Sequence, residues 1–130
     1  MVTKIAKILV VDDDPNVGKL IHANLETDDY EVEIVYDGKE ALAKTINCKD
    51  KLPDLIILDV MLPKMDGFEV ARRIKTDGVC KSIPIIMLTA KDQPLDKIQG
   101  LINCEVEHYL TKSININDLN ILIMKKLTPV

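Results

Sequence analysis

The 130-residue sequence predicts an α/β fold, a doubly wound five-stranded parallel sheet with helices on both faces. Three observations carry that expectation. Short apolar runs recur at fairly even intervals, stretches with helical apolar spacing separate them, and polar residues suited to chemistry gather where the runs end.

The first run, "KILVV" at 7–11, leads directly into Asp12, Asp13 and Asp14. Val17, Leu20, Ile21 and Leu25 then follow i, i+3, i+4, i+8, an amphipathic helix opened by Asp14 and Pro15. An Asp before a proline at the first helical position is an N-cap signature, with a solvated carboxylate at a pocket rim as the alternative. "VEIVY" at 32–36 alternates more than the other runs, which places it nearer an edge. Ala41, Leu42, Thr45 and Ile46 mark a second helix after the turn residues Asp37 and Gly38.

"LIIL" at 55–58 is continuously apolar, as suits a strand covered on both faces, and ends in Asp59. Asp66 and Gly67 suit a turn or cap opening a third helix through Val70, Ala71 and Ile74, with Phe68 as packing. "IIML" at 85–88 ends in Thr89. Leu95, Ile98, Leu101 and Ile102 mark a fourth helix, "HYLT" at 108–111 a fifth strand ending at Lys112. The last helix runs from about Ile116 through Leu119, Leu122 and Ile123 to Leu127. Ile121 and Met124 lie beside its expected core positions and are read as core, with an exposed contact patch as the alternative.

Composition narrows the class. Hydrophobic residues make up 47% and charged residues 29%, which is ordinary for a soluble globular domain. With 17 Lys and Arg against 21 Asp and Glu, the net charge of −4 argues against direct nucleic-acid binding. Apolar runs are too short to span a bilayer, and the N-terminus lacks a signal-peptide pattern. Cys48, Cys80 and Cys104 lack CxxC spacing and read as reduced thiols of a cytosolic protein. No repeat or linker interrupts the pattern, so the expectation is one domain over 1–130 with a core of about 7–127.

In parallel strands the terminal polar residues meet at one sheet edge, near a switch in strand order. Asp12, Asp13 and Asp59 then form a carboxylate cluster whose mutual repulsion a hard divalent cation, Mg2+ or Mn2+, would offset. Lys112 supplies fixed positive charge and Thr89 a hydroxyl for a phosphoryl group. Asp59 is the best candidate nucleophile, because a carboxylate can form an acyl phosphate. His22 and His108 lack metal-ligand spacing and read as ordinary helix and strand residues.

Together "ILVVDDDP", "PDLIILDVMLPKMDGFEV", "IIMLTAK" and "YLTK" resemble the receiver domain of two-component response regulators, over nearly the whole chain. The resemblance implies a (βα)5 flavodoxin-like receiver fold and phosphorylation of Asp59 by a histidine kinase or phosphotransfer protein. It implies that Asp13 and Asp59 ligate Mg2+ directly, that Asp12 helps through water, and that the Met61 backbone carbonyl contributes. It makes Thr89 and Tyr109 coupled switch residues and Lys112 the contact to the phosphoryl group. It also implies a cytoplasmic switch, not a turnover enzyme, that meets a second copy or an effector through the face of the fourth helix, fifth strand and fifth helix.

Alternatives from other classes are a Mg-dependent phosphatase using an aspartyl phosphate and a receiver-like binding module that takes no phosphate. The phosphatase generally wants a second carboxylate two residues after the nucleophile, where this chain has Met61. Met61 and Lys91 occupy positions that influence phosphoryl hydrolysis in receivers, and an apolar Met61 predicts a phosphorylated state lasting minutes or longer.

Two departures from the family stand out. Lys112 is followed by Ser113 where most receivers have proline after a cis bond, and the reading leans to cis here as well. The segment "GLINCEVEHYL" is about one residue longer than usual, with Asn103 as the residue for a left-handed helix cap.

Overall fold

The computed structural model describes residues 6–26, 30–48, 50–89, 108–112 and 114–127. Five strands, β1 (Ala6–Val11), β2 (Tyr30–Val35), β3 (Leu55–Asp59), β4 (Ile85–Thr89) and β5 (His108–Thr111), form one parallel sheet in the order β2-β1-β3-β4-β5. The helices are α1 (Pro15–Leu25), α2 (Gly38–Ala43), α3 (Gly67–Thr76) and the C-terminal α4 (Ile116–Leu127), with a 3-10 turn at Cys80–Ser82. The helix expected around 95–102, Lys91, Asn103 and the Lys112–Ser113 bond lie outside the described residues.

The strands form where the chain can be buried on both faces. Ile8 to Val11, Leu55 to Leu58 and Ile85 to Leu88 are almost wholly inaccessible. Alternate residues serve opposite sides. Leu9, Val11, Ile56, Leu58, Ile85 and Met87 pack with Ala41, Val70 and Ile74 of α2 and α3. Ile8, Val10, Leu55, Ile57, Ile86 and Leu88 pack with Ile21 and Leu25 of α1 and with Leu119 and Ile123 of α4. Each such fully buried aliphatic side chain contributes about 1.5–3 kcal/mol over leaving it in water. The alternating run becomes the edge strand β2, as its pattern implies.

Helix starts follow the acidic caps. Asp14 accepts from the Asn16 amide at 2.9 Å with Pro15 at the first helical position. Asp37 accepts from the Glu40 amide at 2.8 Å, and the Glu40 carboxylate accepts from the Tyr36 amide at 2.8 Å. Asp66 accepts from the Glu69 amide at 2.9 Å. Gly67 follows for a second reason, since a Cβ there would lie 2.2 Å from the Asp59 carbonyl oxygen. The third helix can begin beside the end of β3 only because residue 67 has no side chain.

Three expectations need correction. Helix α2 ends at Ala43, so Thr45 and Ile46 sit in the turns that follow, where the Thr45 hydroxyl bonds back to the Ala41 carbonyl at 2.9 Å. Leu20 is 45% exposed and does not serve the core face of α1. Ile121 and Met124 are not core either. They are 53% and 57% exposed, because Leu119 and Ile123 already define the buried face of α4 and these two positions turn away from it. Phe68 packs half-buried against the α2–α3 core, as expected. His22 pairs with Glu26 one turn on and His108 stacks on Tyr109. Cys48 and Cys80 are free thiols. No helix among the described residues is long and apolar enough to cross a membrane.

Candidate functional site

The strand order reverses between β1 and β3, since the chain passes from β1 out to β2 and returns on the other side. In sheets of this kind ligands bind beyond the carboxyl ends at that switch. Register makes the site specific. Ile8 pairs with Leu55 and Val11 with Leu58, so the next positions in line are Asp12 and Asp59. Two carboxylates thus arrive side by side at the end of two core strands.

Both are buried, Asp12 fully and Asp59 to within 1%, whereas Asp13 is exposed. Asp59 Oδ1 accepts from the Met61 amide at 3.0 Å, and its Oδ2 accepts from Lys112 Nζ at 3.0 Å. Asp12 Oδ1 accepts from the Asp14 amide at 2.9 Å. Asp12 Oδ2 lies 3.3 Å from Lys112 Nζ, an ion-pair distance, but has no hydrogen-bond partner among the described residues. The Lys112 amide donates to the Thr89 carbonyl at 2.7 Å, continuing the β4–β5 ladder and fixing where the lysine leaves the sheet. The three aspartates split by job: Asp12 joins the buried pair, Asp13 stands at the exposed side, and Asp14 caps α1.

The electrostatics follow from this burial. Burial, reinforced by Asp59, pushes the Asp12 carboxyl up from 3.8 to about 6, while the Asp14 amide and Lys112 act in the opposite direction. Burial works against the Lys112 ammonium, but its hydrogen bond and charge pairing with Asp59, and then Asp12, outweigh it and raise the lysine above its ordinary value. One ammonium therefore faces two buried carboxylates, and the negative charge is only partly balanced.

A hard cation fits the remainder. Asp12, Asp13 and Asp59 each present a carboxylate oxygen within 4.8 Å of the others. Asp12 Oδ2, ion-paired with Lys112 but without a hydrogen bond among the described residues, is one of the buried oxygens of this cluster. An all-carboxylate donor set with one exposed side suits Mg2+ or Mn2+, which retain water and take further oxygen ligands.

The structure brings Asp12, Asp13, Asp59 and Lys112 together. Thr89 is 3% exposed at the end of β4, and its hydroxyl donates to the Leu110 carbonyl on β5 at 3.4 Å. Tyr109 is about half exposed, with its ring 6.2 Å from that of His108. Met61 is 54% exposed at the mouth of the site. The sequence reading missed the backbone amides of Asp14 and Met61 as donors. Each lies two residues beyond the aspartate it serves, the spacing of an Asx turn, so that spacing was the available signal.

Fold and site define a phosphorylation-activated signalling domain of the two-component type. The chain belongs to the response regulator receiver domain family, whose model matches residues 8–124. The alkaline phosphatase synthesis transcriptional regulatory protein PhoP of Bacillus subtilis is 44% identical over 114 residues, 88% of this chain and 45% of its own. The chain spans less than half the length of the curated relatives it matches. A CheY-like response regulator receiver domain protein from Methanospirillum hungatei superposes with a TM-score of 0.85 at 30% identity, over 95% of this chain and 94% of that one. The Mn2+-bound form of response regulator Rcp1 is 34% identical with a TM-score of 0.77, over 92% and 90%.

Proposed function

We propose that Asp59 is the residue that accepts the phosphoryl group, from a histidine kinase or a phosphotransfer protein. The observation that supports it most is the Asp59 carboxylate itself, buried at the end of β3 between the Met61 amide and the Lys112 ammonium. A carboxylate oxygen attacks phosphorus, a P–O bond forms, and the P–N bond to the donor imidazole breaks. Asp12, Asp13, Asp59 and the Met61 carbonyl would hold Mg2+ or Mn2+, which when bound supplies positive charge against the phosphoryl oxygens. Lys112 exchanges its bond to Asp59 Oδ2 for one to a phosphoryl oxygen, and Thr89 turns its hydroxyl from Leu110 to another.

That rotation of Thr89 is the switch, with Tyr109 following it. Half-exposed Tyr109, Ile121 and Met124 make the β5–α4 side the surface that a second copy or an effector reads. The domain is a single receiver over 1–130 with its core at about 7–127. It works in the cytoplasm and performs its own phosphorylation and dephosphorylation without turning over a substrate. Exposed, apolar Met61 gives attacking water no base, which supports a phosphorylated state lasting minutes or longer. Decay of the acyl phosphate within seconds contradicts that lifetime.

Incubation with acetyl phosphate and Mg2+, followed by intact mass, tests the assignment. Wild type gains one phosphoryl group and Asp59→Ala gains none. An equal gain in both places the chemistry elsewhere, and no gain in wild type favours a binding module that takes no phosphate.

A further inference from the structure

A second concave site lies on the opposite face from α1 and α4, between α2 and the loop joining β3 to α3. It is a cavity of about 360 Å3. Leu42, Pro63 and Met65 give it an apolar lining, and exposed Lys39, Lys64 and Arg73 stand around it. A cavity of this size, apolar within and carrying a few charged groups, has the form of a small-molecule site.

The two lysine charges are uncommitted, and the arginine is partly so. Among the described residues the Lys39 and Lys64 side chains make no hydrogen bond or ion pair. Arg73 uses Nε on Glu69 at 2.8 Å, and that contact leaves its Nη atoms for other partners. Asp37 also lines the cavity; it accepts from the Glu40 amide as the cap of α2 and keeps its negative charge, so three cations face one lining carboxylate. Lys64 has φ 67°, and the Met65 amide reaches back to the Pro63 carbonyl at 2.7 Å. This three-residue turn is a strained form for a residue with a side chain, costing on the order of 1–3 kcal/mol, and it holds Lys64 in the cavity wall.

The groove also has a direction. A neighbouring hollow of about 420 Å3 shares Leu42, Asn47 and Arg73 and runs to Thr76 and Asp77. Asp77 accepts from the Cys80 and Val79 amides, which hold its carboxyl below the usual range. One end is therefore cationic and the other anionic. A chain of net charge −4 has no general basic surface that would account for the cationic end.

We propose that this groove binds an organic anion of about mononucleotide size, its apolar body against Leu42, Pro63 and Met65 and its anionic group on Lys39, Lys64 and Arg73. None of these residues belongs to the aspartate cluster, so the groove is a separate site from the one proposed for phosphoryl transfer.

Amide chemical shifts of the 15N-labelled full chain, titrated without phosphoryl donor, provide the test. The probes are adenosine monophosphate, anilinonaphthalene sulfonate and inorganic phosphate. Both organic anions produce saturable shifts at Gly38, Lys39, Leu42 and Met65, and inorganic phosphate, which lacks an apolar body, binds there about tenfold more weakly or less. The double variant Lys39→Glu/Lys64→Glu weakens the organic probes by about tenfold or more, and added salt weakens them in wild type. The neutral pair Lys39→Gln/Lys64→Gln moves affinity in the same direction, which covers the case of a charge reversal that disturbs folding. Shifts that do not saturate, shifts centred on Asp59 and Lys112, or affinity unchanged in both double variants overturn the proposal.

Discussion

Lys112 Nζ lies 3.0 Å from Asp59 Oδ2 and 3.3 Å from Asp12 Oδ2, so a single ammonium spans the two buried carboxylates. Replacing it with methionine leaves those carboxylates facing each other. Breaking a fully buried pair costs about 3–5 kcal/mol, and partial exposure of this lysine reduces the expected loss to about 1–3 kcal/mol. The lysine is raised in the folded state, so its contribution is complete below its ordinary value of 10.5 and is lost only as pH rises beyond the folded value. Urea denaturation of Lys112→Met in metal-free buffer measures the loss, and Mg2+ restores part of it.

Asp12 has a pH signature of the same sign in a lower window. Burial raises its carboxyl to about 6 in the folded state, so the folded chain holds this proton more tightly than the unfolded chain. The stability this group contributes is present below 3.8 and is lost as pH rises through about 6. Near neutral pH, metal-free Asp12→Asn is therefore more stable than wild type, by about 1–2 kcal/mol. The advantage vanishes in acid, and Mg2+ raises the Tm of wild type more than that of the variant. Thermal denaturation with Mg2+ or a chelator at several pH values checks all three statements.

Asp14 separates from its neighbours on the same reasoning. Asp14→Ala removes the side-chain cap on the Asn16 amide and costs about 1 kcal/mol. It keeps the backbone amide that serves Asp12, so phosphorylation by acetyl phosphate proceeds at close to the wild-type rate. Denaturation and the phosphorylation time course together test this division.

Gly67→Ala puts a methyl group 2.2 Å from the Asp59 carbonyl oxygen, where only backbone can move. The expected cost is about 2–3 kcal/mol, with slower phosphorylation because the shift is passed directly to Asp59. A variant with wild-type Tm and wild-type rate contradicts the close approach.

Much of this was legible because burial on both faces forces strands into continuous apolar runs. "ILVV", "LIIL" and "IIML" could scarcely lie elsewhere, and the polar residues ending them mark the site. Other features depend on information that local pattern lacks. Which of three adjacent aspartates turns inward is decided by the register of β1 on β3, a contact between distant segments. The direction of the Thr89 hydroxyl depends on the Leu110 carbonyl of the next strand. Ile121 and Met124 were misread because α4 is apolar on several sides, so composition hides the face that spacing from Leu119 to Ile123 selects. The cavity beside α2 had no signature, since Lys39, Lys64 and Arg73 are dispersed in sequence and converge only through the turn at Lys64.

The central claim is that Asp59 alone carries the phosphoryl group. Borohydride reduction of the phosphorylated chain converts an aspartyl phosphate to homoserine, and peptide sequencing by mass spectrometry locates it. Homoserine at position 59, and at no other aspartate, is the predicted result. Homoserine at Asp12 or Asp13, or none in a chain that has gained a phosphoryl group, would contradict it.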